Sequence, residues 1–194
     1  MKPEEKMKND DRMTTLQFSG FGGQGIVLSS VIFGTAAVTR GGYNGVQTSS
    51  YGSEARGGEC QAELILSKAE IHSPLASQVD VLVSMSQLAL NTYLPRLKPG
   101  KTLIIDPELV EKPDRSDIHI YEVPATRTAL DLGFRISANM VMLGFLQQAS
   151  QLISEEDLLE TIKAHVPAKF LEVNLKAAAR GKQLAKDMNV RLEI

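Results

Sequence analysis

The sequence predicts a three-layer α/β/α fold on a mostly parallel sheet with one antiparallel member. Three observations carry this. Short apolar runs of strand length alternate with segments of helical period. A glycine-rich turn, Gly20-Phe21-Gly22-Gly23-Gln24-Gly25, stands between the first strand and the first helix. One pair of strand-like segments is joined by a loop with no helical pattern, which points to an antiparallel pair within the sheet.

Taken in order, residues 1–13 hold eight charged residues and only methionines as large apolar groups. They bury too little surface to offset ordering and read as a mobile tail, leaving residues 14–194 as a single α/β domain with C-terminal helices. Thr14 to Ser19 has the composition of a first strand. Ile26, Val27, Val31, Ile32, Thr35, Ala36 and Val38 recur at helical spacing until Gly41-Gly42 stops the helix. Gly34 inside that helix points to close packing on the sheet. Gly45 to Ser50 reads as a second strand. A second glycine-rich loop, Tyr51 to Gly58, leads into a strand with an apolar face (Cys60, Ala62, Leu64, Leu66) and a more polar one (Gln61, Glu63, Ile65).

Val79 to Met85 is a buried strand, and Ser86 starts a helix that ends around Leu94-Pro95. Leu97-Lys98-Pro99-Gly100-Lys101 reads as a turn into the strand Thr102 to Asp106, and a short strand follows at Ile118 to Val123. Beyond Ala125 the pattern is helical: Thr126 to Leu132, Ser137 to Leu152, a helix opened by Ser154-Glu155-Glu156-Asp157 that reaches His165, and a last helix over Phe170 to Met188 with Gly181 as a weak point.

Composition excludes several function classes. With 21 basic and 23 acidic residues the net charge is −2, so no basic field recruits nucleic acid. No apolar run approaches the ~20 residues of a membrane span, and no signal-peptide pattern opens the sequence, so a cytoplasmic location is expected. The single cysteine, Cys60, supplies neither a disulfide nor the ligand set of an iron–sulfur cluster or structural zinc. A redox centre would therefore sit on another chain. Cys60 itself, on an apolar strand face, reads as a core residue. His72, His119 and His165 lie apart, with no acid at triad or metal spacing, and no catalytic residue or metal ligand is assigned.

The glycine loop is the candidate ligand site. A strand-to-helix turn with Gly20, Gly22, Gly23 and Gly25 lets backbone N–H groups approach a ligand, and the helix N-terminus adds unpaired donors and a positive dipole end. Such a mouth favours phosphate, pyrophosphate or carboxylate. The spacing fits a dinucleotide fingerprint, but Tyr43 to Gln47 carries no acid for a ribose and no Lys-Ser/Thr follows the last glycine, which disfavours NAD binding and a Walker loop. The alternative is a tight turn whose glycines serve packing only. Gln24 either bonds a ligand or braces its own turn; Arg56 either holds an anion or pairs with Glu54; Ser86 reads as a helix cap.

Five segments in order, Phe18 to Gly25, Ser50 to Gly58, Val83 to Gln87, Leu97 to Gly100 and Asn139 to Gly144, resemble the gamma subunit of 2-oxoacid:ferredoxin oxidoreductases, the 2-oxoglutarate branch first and the branched-chain 2-oxoacid branch next. The resemblance implies the fold of domain III of pyruvate:ferredoxin oxidoreductase. It also implies an assembly that decarboxylates a 2-oxoacid on thiamine diphosphate, passes electrons through iron–sulfur clusters to ferredoxin and releases an acyl-CoA. Thiamine diphosphate, magnesium and the clusters would lie on alpha and beta partners, with a small ferredoxin-like subunit as a further partner. Coenzyme A would meet this chain at Gly20, Gly22, Gly23, Gln24 and Gly25, with Tyr51, Glu54 and Arg56 nearby. Ile26 and Val31 stand where fused relatives have hydroxyl and lysine side chains. Two readings compete: a free-standing nucleotide-binding module, and a purely structural subunit. Asn139 is a feature of the resemblance without an evident chemistry.

Overall fold

The structure is a computed structural model describing residues 13–51 and 58–194. The expected tail at residues 1–13 lies outside the described residues except for Met13, and so do Gly52 to Gly57 of the second glycine loop. Six strands form one sheet: β1 (Thr14–Phe21), β2 (Asn44–Tyr51), β3 (Glu59–Ser67), β4 (Val79–Ser84), β5 (Leu97–Ile105) and β6 (His119–Glu122), in the order β2-β3-β1-β4-β5-β6. β1, β4, β5 and β6 run parallel, while β3 is antiparallel to both β1 and β2. The expected antiparallel member is therefore β3, inserted where loop follows strand without a helix.

Six helices cover the two faces: α1 (Ile26–Thr39), α2 (Gln87–Tyr93), α3 (Ala125–Asp131), α4 (Ala138–Ser150), α5 (Glu155–His165) and α6 (Ala168–Asp187). The larger core joins Leu16 and Phe18 of β1 and Cys60, Leu64 and Leu66 of β3 to α1 and α4. A smaller one on the opposite face joins Val79, Leu82, Leu97, Leu103 and Ile105 to Leu90 of α2. Three layers result, as the alternation of strands and helices predicts. Gly34 lets α1 close on β3, for a Cβ there would stand 2.9 Å from Leu64 Cδ1.

The polar face of β3 is used for bracing. Glu63, buried, accepts Arg96 Nη2 at 2.5 Å and the Ala76 N–H at 3.2 Å, and Arg96 also donates to Gln17 Oε1 at 3.3 Å. This network closes the second face beneath the segment leading to β4. Asp80 does the same two strands over, on β4, taking the Thr15 N–H at 2.9 Å and Lys98 Nζ at 2.9 Å.

Two expectations are corrected. Residues 97–101 are not a turn: Leu97 pairs with Val79, and the register then shifts so that Val81 meets Thr102. Pro99 and Gly100 (φ 72°) occupy the resulting bulge, where neither breaks a ladder. Gly181 is not a weak point of the last helix. A Cβ on it would lie 1.8 Å from the Val141 carbonyl oxygen, and one on Gly144 would lie 1.9 Å from that of Ala178. The two glycines are where α4 and α6 touch backbone to backbone.

Candidate functional site

β1 delivers the glycine loop to the C-terminal edge of the parallel strands, the edge where open α/β sheets gather ligands. Gly23 (φ 95°) and Gly25 (φ 75°) take left-handed backbone that a side chain disfavours. Gly20 is needed for a different reason. It lies within β1, and a Cβ there would stand 2.4 Å from Gln24 Oε1 and 2.7 Å from Ile26 Cδ1.

Gln24 fixes the loop from within. Its Oε1 accepts the Phe21 N–H at 2.6 Å and its Nε2 donates to the Met85 carbonyl at 2.8 Å, so the side-chain amide ties the loop to the end of β4. Beneath it, Ser19 Oγ donates to Ser84 Oγ (3.1 Å), Ser84 Oγ donates to the Ser86 carbonyl (3.2 Å), and the Met85 N–H reaches the Ser19 carbonyl (2.9 Å). Ser86 caps α2 by accepting the Ala89 N–H at 3.4 Å.

Asn139, which sequence left unexplained, packs on the loop from the other side. It stands at the start of α4, donates to the Gly25 carbonyl at 3.4 Å and fills the space a Cβ on Gly25 would need, which would be 2.3 Å from its Nδ2. A polar residue in the otherwise apolar run 138–146 was the available signal.

α1 begins at Ile26 with Gly25 as its cap and no side-chain cap among the described residues. The first intrahelical bond is from the Ser29 N–H to the Gly25 carbonyl at 2.9 Å, so the N–H groups of the first turn remain for other acceptors. One of them, that of Val27, points at the Cys60 sulfur; burial nevertheless pushes the Cys60 thiol up, and this contact only partly offsets it.

Beside the loop lies a cleft of about 150 Å³ bounded by Gly23, Gln24, Met85, Leu109, Thr126, Arg135, Ile136 and Ala138. Asp106, fully buried, builds its far wall by accepting the N–H groups of Glu108 (3.1 Å) and Thr126 (2.7 Å). Arg135 and Ile136 both line the cleft and are exposed, Ile136 at 66%. Sequence reasoning missed both, because they enter through a 3₁₀ turn (Arg135–Ser137) more than a hundred residues from the glycines.

Of the site residues expected from sequence, Gly20, Gly22, Gly23, Gln24 and Gly25 form one loop. Gly22 donates to the Gly58 carbonyl at 3.1 Å, joining this loop to the end of the second one. Tyr51 shares a row with it: Tyr51 pairs with Cys60, which pairs with Gly20, so two strand spacings or about 10 Å separate Tyr51 from the loop. Glu54 and Arg56 lie outside the described residues. His72, His119 and His165 are exposed and far apart in the fold. Among the described residues no group of three His, Cys, Asp or Glu is placed to hold a metal ion.

A glycine loop at the C-terminal edge of the parallel strands, opening onto the uncapped N-terminus of α1, gives an α/β domain with a candidate anion site. Residues 15–184 match the model of the pyruvate ferredoxin/flavodoxin oxidoreductase family, and the chain belongs to that family. It is 43% identical over 176 residues to the 2-oxoglutarate synthase subunit KorC of Methanothermobacter marburgensis, covering 87% of this chain and 95% of that one. The gamma subunit of a keto/oxoacid ferredoxin oxidoreductase from Geobacter sulfurreducens superposes with a TM-score of 0.79 at 35% identity, over 90% of this chain and 99% of that one. The 2-oxoglutarate:ferredoxin oxidoreductase of Magnetococcus marinus, solved with 2-oxoglutarate, coenzyme A and succinyl-CoA bound, superposes at 0.84 with 26% identity, over 94% of this chain and 33% of that much longer one. Within its family the chain is of the gamma-subunit type, a subunit of a 2-oxoacid:ferredoxin oxidoreductase.

Proposed function

We propose that this gamma subunit serves a 2-oxoglutarate:ferredoxin oxidoreductase, in which 2-oxoglutarate is oxidatively decarboxylated to an acyl-CoA and the electrons pass to ferredoxin. The observation that carries the reading is the 43% identity to a 2-oxoglutarate synthase subunit across nearly the whole of both chains. Alpha and beta subunits would hold thiamine diphosphate, magnesium and the iron–sulfur clusters, since a single buried cysteine gives this chain no cluster ligand set. This chain would supply subunit interfaces and part of the coenzyme A site. Two features support the latter: the uncapped N-terminus of α1 behind Gly23 and Gly25, and Arg135 lining the adjoining cleft. The dipole end contributes only about 0.3–1 kcal/mol. A phosphate site therefore needs charged donors as well, worth about 1.5–3 kcal/mol each when well placed, and Arg135 and Arg56 are the candidates. Tyr51 and Glu54 would face the thiamine-bearing partner.

The test is to purify the tagged chain anaerobically from its own cell and assay CoA-dependent reduction of a low-potential acceptor with 2-oxoglutarate, pyruvate and a branched-chain 2-oxoacid. Copurification of coloured, thiamine-containing partners with 2-oxoglutarate dominant is expected. Dominance of either other acid overturns the substrate. In the same complex, Gly22→Leu and Arg135→Gln should each raise the Michaelis constant for CoA, the second by about three- to tenfold given its exposure. An unchanged constant in both removes the CoA site from this loop.

A further inference from the structure

Asn139 is buried, 4% exposed, in a run that is otherwise apolar from Ala138 to Leu146. Its amide is poorly used for stability. A carbonyl oxygen offers two lone pairs, and at Gly25 the Ser29 N–H and the Ser29 Oγ already donate at 2.9 Å each. The Asn139 Nδ2 arrives third, at a stretched 3.4 Å, and its Oδ1 accepts no hydrogen bond among the described residues. A buried amide so weakly paired costs stability, and an apolar residue of the same size would pack there at less cost. What the amide does achieve is contact. It fills the space beside Gly25, where a Cβ would stand 2.3 Å from Nδ2 and 3.0 Å from Cγ, and so seats on the residue whose left-handed backbone (φ 75°) turns the loop into α1.

The other end of this contact is anchored. α4 cannot withdraw, because Gly144 and Gly181 bring its backbone onto that of α6. Just before α4, the 3₁₀ turn Arg135–Ser137 is closed by Ser137, fully buried, whose N–H and Oγ donate to the Phe134 carbonyl at 2.9 and 2.8 Å. Arg135, Ile136 and Ala138 of this corner line the same cleft as Gly23 and Gln24. Arg135 makes no ion pair among the described residues, whereas Arg96, Arg115 and Arg127 are each held by a carboxylate.

We infer that Asn139 is a positioning residue for coenzyme A: seated on Gly25, it holds the corner 135–138, and with it Arg135, in register with the first-turn N–H groups of α1, so that both sets of donors meet one phosphate-bearing ligand. This rests on the CoA reading of the loop given above. The two sets of donors are brought together from positions more than a hundred residues apart, and an anion gains from both only if their separation is fixed before it arrives. Gln24 fixes the loop on the β4 side through the Met85 carbonyl. Asn139 fixes it on the α4 side, where Arg135 enters. It acts through Gly25 and touches no reacting atom.

The test uses the assembled oxidoreductase. Asn139→Ala should raise the Michaelis constant for CoA by about the three- to tenfold expected of Arg135→Gln, while kcat and the constant for 2-oxoglutarate move by less than about twofold. The two substitutions together should raise it no more than about twofold beyond Arg135→Gln alone, since a misplaced guanidinium and a missing one are the same loss. A residue that only stabilises the fold would lower the urea midpoint and leave the constant for CoA where it was. Independently of how any variant folds, CoA added to the wild-type complex should slow amide exchange at residues 26–28 and at residues 135–139 with a single half-saturating concentration. A constant for CoA unchanged in Asn139→Ala, full multiplication of the two effects, or slowing at residues 26–28 alone overturns the positioning role. If Gly22→Leu and Arg135→Gln themselves leave the constant unchanged, or exchange slows at neither segment, the CoA reading of the loop falls and the positioning role falls with it.

Discussion

Gln24 shows how a single side chain turns a permissive loop into a rigid one. Four glycines in six residues give the backbone freedom that a ligand site cannot use, and the two bonds of one amide remove it. Gln24→Glu keeps the size and the acceptor for Phe21 but loses the donor to Met85, and it sets a carboxylate against that carbonyl. It should cost about 1–3 kcal/mol in urea unfolding. A variant as stable as the parent would mean that the Met85 contact contributes nothing. The sequence offered Gln24 as either ligand donor or brace, and its bonds are those of a brace. Asn139 was visible only as part of the resemblance, the one amide in the run 138–146. Its role was not legible, since contact with Gly25 spans 114 positions and depends on how α4 crosses α1.

At the scale of elements, the strands and helices whose cause is local were readable in advance. β1, β4, α1 and α5 have composition, caps and stops that agree with one another, and Ser154 caps α5 by taking the Asp157 N–H at 3.0 Å as the sequence indicates. The first half of β5 was not readable. Pro99 and Gly100 signal a turn, and only the pairing of Leu97 with Val79, with Lys98 reaching Asp80, makes the segment a bulged strand. Gly181 was misread for the same reason: a helix glycine costs about 1 kcal/mol in isolation, and its purpose lies on the neighbouring helix. Gly181→Ala sets that propensity gain against a Cβ 1.8 Å from the Val141 carbonyl oxygen. The steric term wins, since backbone cannot yield as a side chain can, and the variant should lose about 1–3 kcal/mol net. A raised urea midpoint would show that α4 and α6 can part at little cost.

For the molecule as a whole, the alkaline limb of stability has an identifiable origin. Burial pushes the Cys60 thiol and the Tyr43 and Tyr93 phenols up, with the Glu59 carboxylate adding to the effect at Tyr93. Below the thiol's unfolded value of about 8.5 both states keep the proton. As pH rises past it the unfolded chain releases the proton first, so stability falls until the folded value is passed. Urea midpoints should therefore decline from about pH 8.5 upward, and Cys60→Ser should remove the part of the decline that precedes the tyrosines. Midpoints flat between pH 8 and 10 in the parent would contradict this. The position of β1 has one more consequence, and it concerns synthesis. The strand bearing the glycine loop is made before the other five of the sheet, yet its partners β3 and β4 come from residues 59–67 and 79–84. At about 5–20 residues per second, roughly 3–13 s of translation separate β1 from the last strand that encloses it. Until β3 follows, this buried strand has both edges bare on the ribosome, and one stays bare until β4 is made. Its polar alternates Thr15, Gln17 and Ser19, of which the last two end up bonded through their side chains to Arg96 and Ser84, keep that nascent strand from being apolar on both faces.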